Sequence, residues 1–206
     1  MNIEFGKYRN QSYETIWNIE PSYILWLLKQ PWFKVRHKPH YDYCERVSQI
    51  KHTPNKHLLV YTDGSCSNNG KKNSKGGLGI HFSEKNKHHF PDVSESIQRK
   101  DITNNIAELM AIQKALEITR GFKDVKIYTD SKYSLNVITK WYGIWLKKGL
   151  CKNKKNLDLI GTIYDRYNQS DAELIHVRAH TGNTDEHSIG NMIADRLATD
   201  SLRESR

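Results

Sequence analysis

The sequence predicts an α/β fold: a mixed five-stranded sheet, three antiparallel strands followed by parallel ones, flanked by helices and preceded by a small helical, aromatic module. Three observations carry this. The apolar run from His57 to Ser65, His-Leu-Leu-Val-Tyr-Thr-Asp-Gly-Ser, closes on a carboxylate and a glycine turn, the pattern of a buried strand that delivers Asp63 to a sheet edge. Val125 to Ser131, Val-Lys-Ile-Tyr-Thr-Asp-Ser, repeats the device and delivers Asp130 where a helical pattern begins. Three strands with short links then imply an antiparallel meander, and the later alternation of strands with helices implies parallel pairing. Either aspartate alone is equally a turn former or helix cap, but two apolar strands ending in Thr-Asp-Gly/Ser point to chemistry at strand ends.

Taken in order, Phe5-Gly6-Lys7-Tyr8 suggests a strand or turn and Tyr13 to Trp17 a short helix. Pro21 to Lys29 reads as a second helix with proline in its first turn. Arg36 to His57 is polar, with little periodicity, and reads as a linker. The resulting division is a module at 1–50, a linker at 51–57 and a main domain at 58–206. After the first long strand come a glycine-rich turn over Asn69 to Gly77, a strand over Leu78 to Ser83, a turn at Lys85 to Lys87 and a strand near His88 to Ile97. Thr103 caps a helix whose apolar residues Ile106, Leu109, Met110, Ile112 and Leu116 keep helical spacing until Gly121. Strand Val125 to Thr129 is followed by helices over Lys132 to Thr139, Trp141 to Lys148 and about Asn156 to Tyr167. A strand at Ala172 to Val177 and a helix near Glu186 to Leu202 end the pattern.

With 206 residues and 37% hydrophobic content, the chain can bury one domain of about 150 residues and an appendage. Its formal charge of +9 and pI near 9.3 favour polyanionic partners, nucleic acid first among them. Cys44, Cys66 and Cys151 are dispersed and form no CxxC pair, which suits a reducing compartment. No leader pattern or run of membrane length is present, so a soluble intracellular protein, cytoplasmic or nuclear, is expected. His37, His40 and Cys44 could supply three zinc ligands, but a fourth at suitable spacing is missing.

Two further acids complete a constellation. Glu108 lies in the second turn of the helix within TNNIAELMAI, and Asp195 lies in GNMIADRLA. In the order YTDGSC, TNNIAEL, YTDSKY and HVRAHTG followed by GNMIADRLA, the chain resembles a type 1 ribonuclease H over residues 58–202. That resemblance implies Asp63, Glu108, Asp130 and Asp195 as metal-holding carboxylates for two divalent ions. Phosphodiester hydrolysis needs a deprotonated water and a stabilised leaving alkoxide, which two Mg²⁺ ions supply, with Mn²⁺ as a substitute. An all-carboxylate set suits such hard cations. The resemblance also makes His180, in Arg178-Ala179-His180-Thr181-Gly182, the residue that shuttles a proton or helps product leave. His176 and His187 could suggest zinc, but are read as structural.

The implied substrate is an RNA/DNA hybrid, whose RNA strand is cut to leave 5′-phosphate and 3′-hydroxyl ends, as in primer removal or R-loop clearance. By the same resemblance Asn104 and Asn105 reach 2′-hydroxyls of the RNA strand, assisted by backbone of the Cys66 to Asn69 turn. Tyr133, Trp141 and Trp145 pack on deoxyribose, and Trp141 and Trp145 share a helix face at i, i+4. Lys147 and Lys148, with Lys152, Lys154 and Lys155, match a basic protrusion. Thr103 and Asn156 match a DNA-phosphate pocket, while Asp101 stands where that pocket often has arginine; Arg99 or Lys100 could compensate. Each has a plain alternative: helix initiation for the asparagines, core packing for the tryptophans, a solvated charge run for the lysines.

FGKY and PSYILWLLKQ are similar to a small domain appended to some bacterial exonucleases. Its Lys7, Arg9, Lys29, Lys34, Arg36 and Lys38 could track phosphates, and Trp17, Trp26 and Trp32 read as the core of the module. A lysine- and asparagine-rich chain with this pairing of domains would suit a large DNA virus. A monomer is expected. The rival functions are a hybrid-binding protein without catalysis, which the complete carboxylates oppose, and a DNA nuclease of similar fold, which the paired asparagines oppose.

Overall fold

A computed structural model describes residues 2–52, 57–83, 90–99, 101–179 and 183–203. The chain forms two compact units, Met1–Lys56 with Arg120–Phe122, and His57–Thr119 with Lys123–Arg206. Among the described residues no helix is long and apolar enough to cross a membrane.

The first unit contains four helices, α1 Tyr13–Ile19, α2 Pro21–Leu28, α3 Pro31–Arg36 and α4 Lys38–His52. Ser12 caps α1 by accepting from the Thr15 amide, and prolines in the first turns of α2 and α3 fit because those amides have no helical partner. Ile3, Tyr13, Ile16, Trp17, Ile24, Leu27, Phe33, Tyr41 and Cys44 form its buried apolar set. The linker expected over residues 36–57 is therefore corrected: Lys38–His52 is helical. Its few apolar residues include Tyr41 and Cys44, which at i, i+3 both turn inward, so a weak stripe is enough when a core is waiting for it. The Tyr13 hydroxyl also meets His40 Nδ1 at 2.9 Å. His37 stacks against Phe5 at 4.5 Å between ring centres. Trp26 is a second correction: Trp17 is buried as expected, whereas Trp26 is 49% exposed.

The second unit is built on β1 Leu58–Ser67, β2 Lys75–Phe82, β3 Val93–Ile97, β4 Val125–Thr129 and β5 Ala172–His176. Their order is β3-β2-β1-β4-β5, with β1 antiparallel to β2 and parallel to β4. Antiparallel β2–β3 and parallel β4–β5 pairs complete the predicted mixed sheet. Helices α5 Asn104–Ile118, α6 Lys132–Asn136, α7 Tyr142–Lys147, α8 Leu157–Asn168 and α9 Glu186–Asp200 accompany it. Thr103 caps α5 as expected, accepting from the Ile106 amide at 3.3 Å. The predicted turn Lys85 to Lys87 and the start of the third strand at His88 lie outside the described residues, and the strand itself begins at Val93.

Glycines determine how closely the helices approach. The turn expected over Asn69 to Gly77 ends sooner, because β2 starts at Lys75 and takes Gly76 and Gly77 into the strand beside Gly79. Side-chain bulk is excluded there: a Cβ at Gly79 would lie 2.0 Å from the Ala194 carbonyl oxygen of α9. On the other side of the sheet, a Cβ at Gly64 would lie 2.1 Å from the Glu108 amide nitrogen of α5. Strand glycine, ordinarily a liability, here lets a helix backbone rest directly on strand backbone. Eight residues of α5 are buried, among them Leu109, Ile112 and Leu116, each contributing roughly 1.5–3 kcal/mol of apolar burial.

Between α6 and α7 the helix widens into a π turn, Val137–Trp141. The two predicted helices thus form one continuous rod with a changed phase.

Gly64→Ala is expected to cost ~3 kcal/mol, at the upper end of overpacking effects. A urea titration that leaves the unfolding midpoint where it was would contradict the close approach of α5.

Candidate active site

Strands β1 and β4 stay paired up to Thr62 and Thr129, so Asp63 and Asp130 are the next residues on two neighbouring parallel strands. This is the point where the sheet changes from antiparallel to parallel pairing. Glu108 comes from α5, which Gly64 admits against β1. Asp63, Glu108 and Asp130 each offer a carboxylate oxygen, and those atoms lie within 4.8 Å of one another. Asp195, from α9, lies close enough for its charge to act on the Asp63 carboxyl. All four predicted acids therefore converge.

The electrostatics of the cluster follow from its burial. Desolvation raises the Asp63 pKa first, and the charges of Asp130 and Asp195 raise it further. Glu108 is raised by the same causes, burial first and then the charges of Asp63 and Asp130. One group opposes this: the Gly64 amide donates to both Asp63 and Glu108. Glu108 Oε2 has no hydrogen-bond partner although the residue is only 5% exposed. A buried carboxylate oxygen without a donor, facing two further acids, fits a hard divalent cation better than any protein group nearby. The residues present therefore suit the metal that the acids suggest.

Asn191 is a part of the site that the sequence reading missed. Its Nδ2 donates to Asp130 Oδ2 at 3.1 Å, and it is buried on α9 one helical turn before Asp195. The spacing of Asn191 and Asp195, i and i+4 within GNMIADRLA, was the available signal. Helix α9 is itself anchored next to the site. His187 Nδ1 meets the Tyr61 hydroxyl at 3.1 Å, and the His187 ring stacks on Tyr128 at 4.4 Å. Tyr61 and Tyr128 stack on each other at 5.1 Å, two residues before Asp63 and Asp130 respectively. His187 is thus a structural residue, as expected, with the work of locating α9. His180 lies outside the described residues.

The residues expected to contact substrate lie at the start of α5, along α6 to α7 and just before α8. Asn104 and Asn105 are exposed at the start of α5, and the Asn104 amide donates to Asn69 Oδ1 at 3.2 Å. The turn after β1 and the N-terminus of α5 are thereby joined. Farther along the chain Tyr133 meets Trp141 edge to face at 6.2 Å, and Trp141 stacks with Trp145 at 6.4 Å. Trp141 is 39% exposed, which contradicts a core role for it. Lys154 lies over the Trp145 ring at 4.8 Å, and Lys147 and Lys148 are exposed. Asn156 has a left-handed backbone and makes no side-chain cap bond to α8, while Thr103 is engaged as the cap of α5. Asp101 is exposed with φ of 55°.

Two outcomes follow for the acid cluster. Well below pH about 4 the Asp63 and Glu108 carboxyls are protonated in folded and unfolded chains alike. As pH rises, the unfolded chain releases protons that the folded chain retains, so the metal-free protein loses stability upward from that range. A divalent cation should raise the melting temperature more at pH 8 than at pH 5, and an equal rise at both, read by thermal denaturation, would contradict the raised carboxyls. Asn191→Ala should weaken Mn²⁺ binding, measured calorimetrically, by ~10–100-fold, the usual effect of removing a ligand's hydrogen-bond partner. Unaltered affinity would exclude Asn191 from positioning Asp130.

Comparison with known proteins agrees with this geometry. The family model described as RNase H matches residues 55–203. Ribonuclease H of Orientia tsutsugamushi (strain Boryong) is 36% identical over 157 residues, covering 74% of this chain and 86% of that protein. Ribonuclease H of Schizosaccharomyces pombe is 38% identical over 144 residues, 68% of this chain and 51% of its own length. Among solved structures, the PFV RNase H domain superposes with a TM-score of 0.58 at 25% identity, over 72% of this chain and 95% of that one. LC9-RNase H1, described as a type 1 RNase H with the type 2 active-site motif, gives 0.58 at 26% identity over 75% of each chain. With sequence relatives, fold neighbours and converging acids in agreement, the chain belongs to the RNase H family.

Proposed function

We propose that this protein is a divalent-metal-dependent endonuclease that hydrolyses the RNA strand of RNA/DNA hybrids. The observation that carries the reading is the convergence of Asp63 of β1, Glu108 of α5 and Asp130, which follows β4, within 4.8 Å. A solved neighbour, the foamy viral protease-reverse transcriptase, is described in complex with RNA/DNA hybrid and superposes with a TM-score of 0.54 at 25% identity. In this reading Asp63, Glu108, Asp130 and Asp195 hold two ions, Mg²⁺ by preference and Mn²⁺ as a substitute. When bound, the ions supply a deprotonated water and neutralise the leaving oxygen.

The chain's own residues supply the rest. Water adds to phosphorus, the bond from phosphorus to the 3′-oxygen breaks, and a proton passes to that oxygen, leaving a 3′-hydroxyl and a 5′-phosphate. Rigid strand ends hold the acids, and Asn191 fixes the orientation of Asp130. His180 carries a proton or eases product departure. Asn104 and Asn105 test for 2′-hydroxyls, and the link from Asn69 to the Asn104 amide keeps the two loops in register for that task. Tyr133, Trp141 and Trp145 give sugars of the DNA strand an apolar surface, while Lys147 and Lys148 attract its phosphates. Thr103 and Asn156 supply the phosphate pocket, for which the unbonded side chain of Asn156 is available. Three cysteines outside any disulfide and a basic composition suit an intracellular role as a monomer in the cytoplasm or nucleus, in primer removal or R-loop clearance.

The test is cleavage of an end-labelled RNA/DNA hybrid beside matched RNA and DNA duplexes. Intact protein with Mg²⁺ should cut only RNA within the hybrid. Asp130→Asn should lower turnover at least ~10³-fold, as loss of a central electrostatic group does, while hybrid binding persists. Replacing Asn104 and Asn105 by Ala should narrow the preference for hybrid over DNA duplex. Turnover retained by Asp130→Asn would overturn the site, and unchanged selectivity would overturn the role of the asparagines.

A further inference from the structure

The catalytic reading leaves one aromatic row unexplained, on the N-terminal unit. Trp26 of α2 is 49% exposed, although an indole left in water forgoes a large apolar burial. The ring is not isolated. Tyr23, one turn earlier, lies 5.7 Å away and tilted by 31°, and Trp32 lies 6.5 Å away on the other side. Tyr8 extends the row past Tyr23 at 4.9 Å, with Lys7 Nζ over the Tyr8 ring at 4.8 Å. Phe5 supports Trp32 from below at 5.2 Å. The row is rigid as well as open, since the Tyr8 hydroxyl and Lys7 both bond to Glu20 at the start of α2.

Its surroundings are cationic. Residues 2–52 hold eight Lys or Arg against five Asp or Glu. Two of those acids, Glu20 and Asp42, are already paired with Lys7 and Lys38. Lys29, one turn after Trp26, is exposed, as are Lys34 and Arg36 on α3. Lys34 Nζ is held over the Tyr41 ring at 5.2 Å, while Lys7 and Lys29 flank the row itself. Aromatic faces flanked by cations match a chain that alternates flat bases with phosphates. A duplex does not meet that description, because its base faces are already stacked on one another. A proline-rich peptide could use the aromatics but would not draw on the positive charge.

We infer that the row centred on Trp26 binds single-stranded nucleic acid, an unpaired base stacking on the indole while Lys29 and its neighbours meet the phosphates. Such a strand adjoins a hybrid wherever one strand overhangs or has been displaced. The site is separate from the acid cluster and does not depend on the hydrolytic reading.

The experiment uses the full chain with chelator present, so that hydrolysis is silent. Binding of fluorescein-labelled oligodeoxythymidylate and oligouridylate is followed by anisotropy and by quenching of tryptophan emission. Loss of one stacked base corresponds to about 1–3 kcal/mol, so Trp26→Ala should weaken binding roughly 5- to 150-fold. Trp26→Phe should recover a large part of it, and affinity for a blunt DNA duplex should stay the same in both variants. Matching thermal melts of the variants would show that the unit remains folded. The inference is overturned if Trp26→Ala binds single strands as the intact chain does, or if a polyproline peptide, and neither oligonucleotide, quenches the emission. Hybrid cleavage restored with Mg²⁺ should be alike in intact and Trp26→Ala proteins on a blunt substrate. Its absence from both, with Trp26-dependent binding preserved, would count against the hydrolytic reading and leave this one standing.

Discussion

Like charges forced into a dry place are the condition around which this domain is arranged. Three carboxylates within 4.8 Å of one another, two of them buried, resist both desolvation and their mutual repulsion. The Gly64 backbone amide favours the charged form of both Asp63 and Glu108. Gly64 has a second role, because its missing side chain lets α5 approach until Glu108 faces Asp63. The same residue thus creates the repulsion and partly relieves it. What remains must be carried by the rest of the core, or by a bound cation.

The core is arranged to carry it. Each acid follows deeply packed residues of its own segment: Val60 and Tyr61 before Asp63 within β1, Ile127 and Tyr128 before Asp130 at the end of β4, Ile106 and Ala107 before Glu108 near the start of α5. Tyr61, Tyr128 and Ala194 form a small cluster with Leu59, Ile175 and Val177 around them. Through His187 this cluster also fixes α9, and with it Asn191 and Asp195. Apolar burial one or two residues away from each acid supplies the rigidity that metal chemistry needs. The segment from α6 to the residues after α7 is of another kind. Trp141, Ile144, Leu146 and Leu150 remain exposed among lysines, a surface that gains its apolar contacts only when something covers it.

The sequence revealed the acids because strand ends are written locally: an apolar run, then Thr-Asp, then a turn or helix signal. It was less legible where the outcome depended on what stood opposite. Lys38–His52 reads as polar, yet folds as a helix because Tyr41 and Cys44 find a core contributed by Ile3, Ile24 and Phe33. The glycines at 76 and 77 read as a turn, and are strand because α9 and Ile102 occupy the space that side chains would need. Trp26 and Trp17 look alike in composition, but only one helix face of a four-helix unit can point inward. Asn191 could have been found from its i, i+4 relation to Asp195, whereas the π turn at Val137–Trp141 has no proline or glycine to announce it.

Proton release on cation binding tests most directly whether burial and repulsion govern this site. Mn²⁺ is titrated into the protein calorimetrically near pH 7, in two buffers of different ionisation heat, and the slope gives protons lost per ion bound. Raised carboxyls must give up protons when a cation replaces them, so release is expected, and it should fall in Glu108→Gln. Binding heats that are the same in both buffers would mean that Asp63 and Glu108 are already ionised together, which would contradict the account.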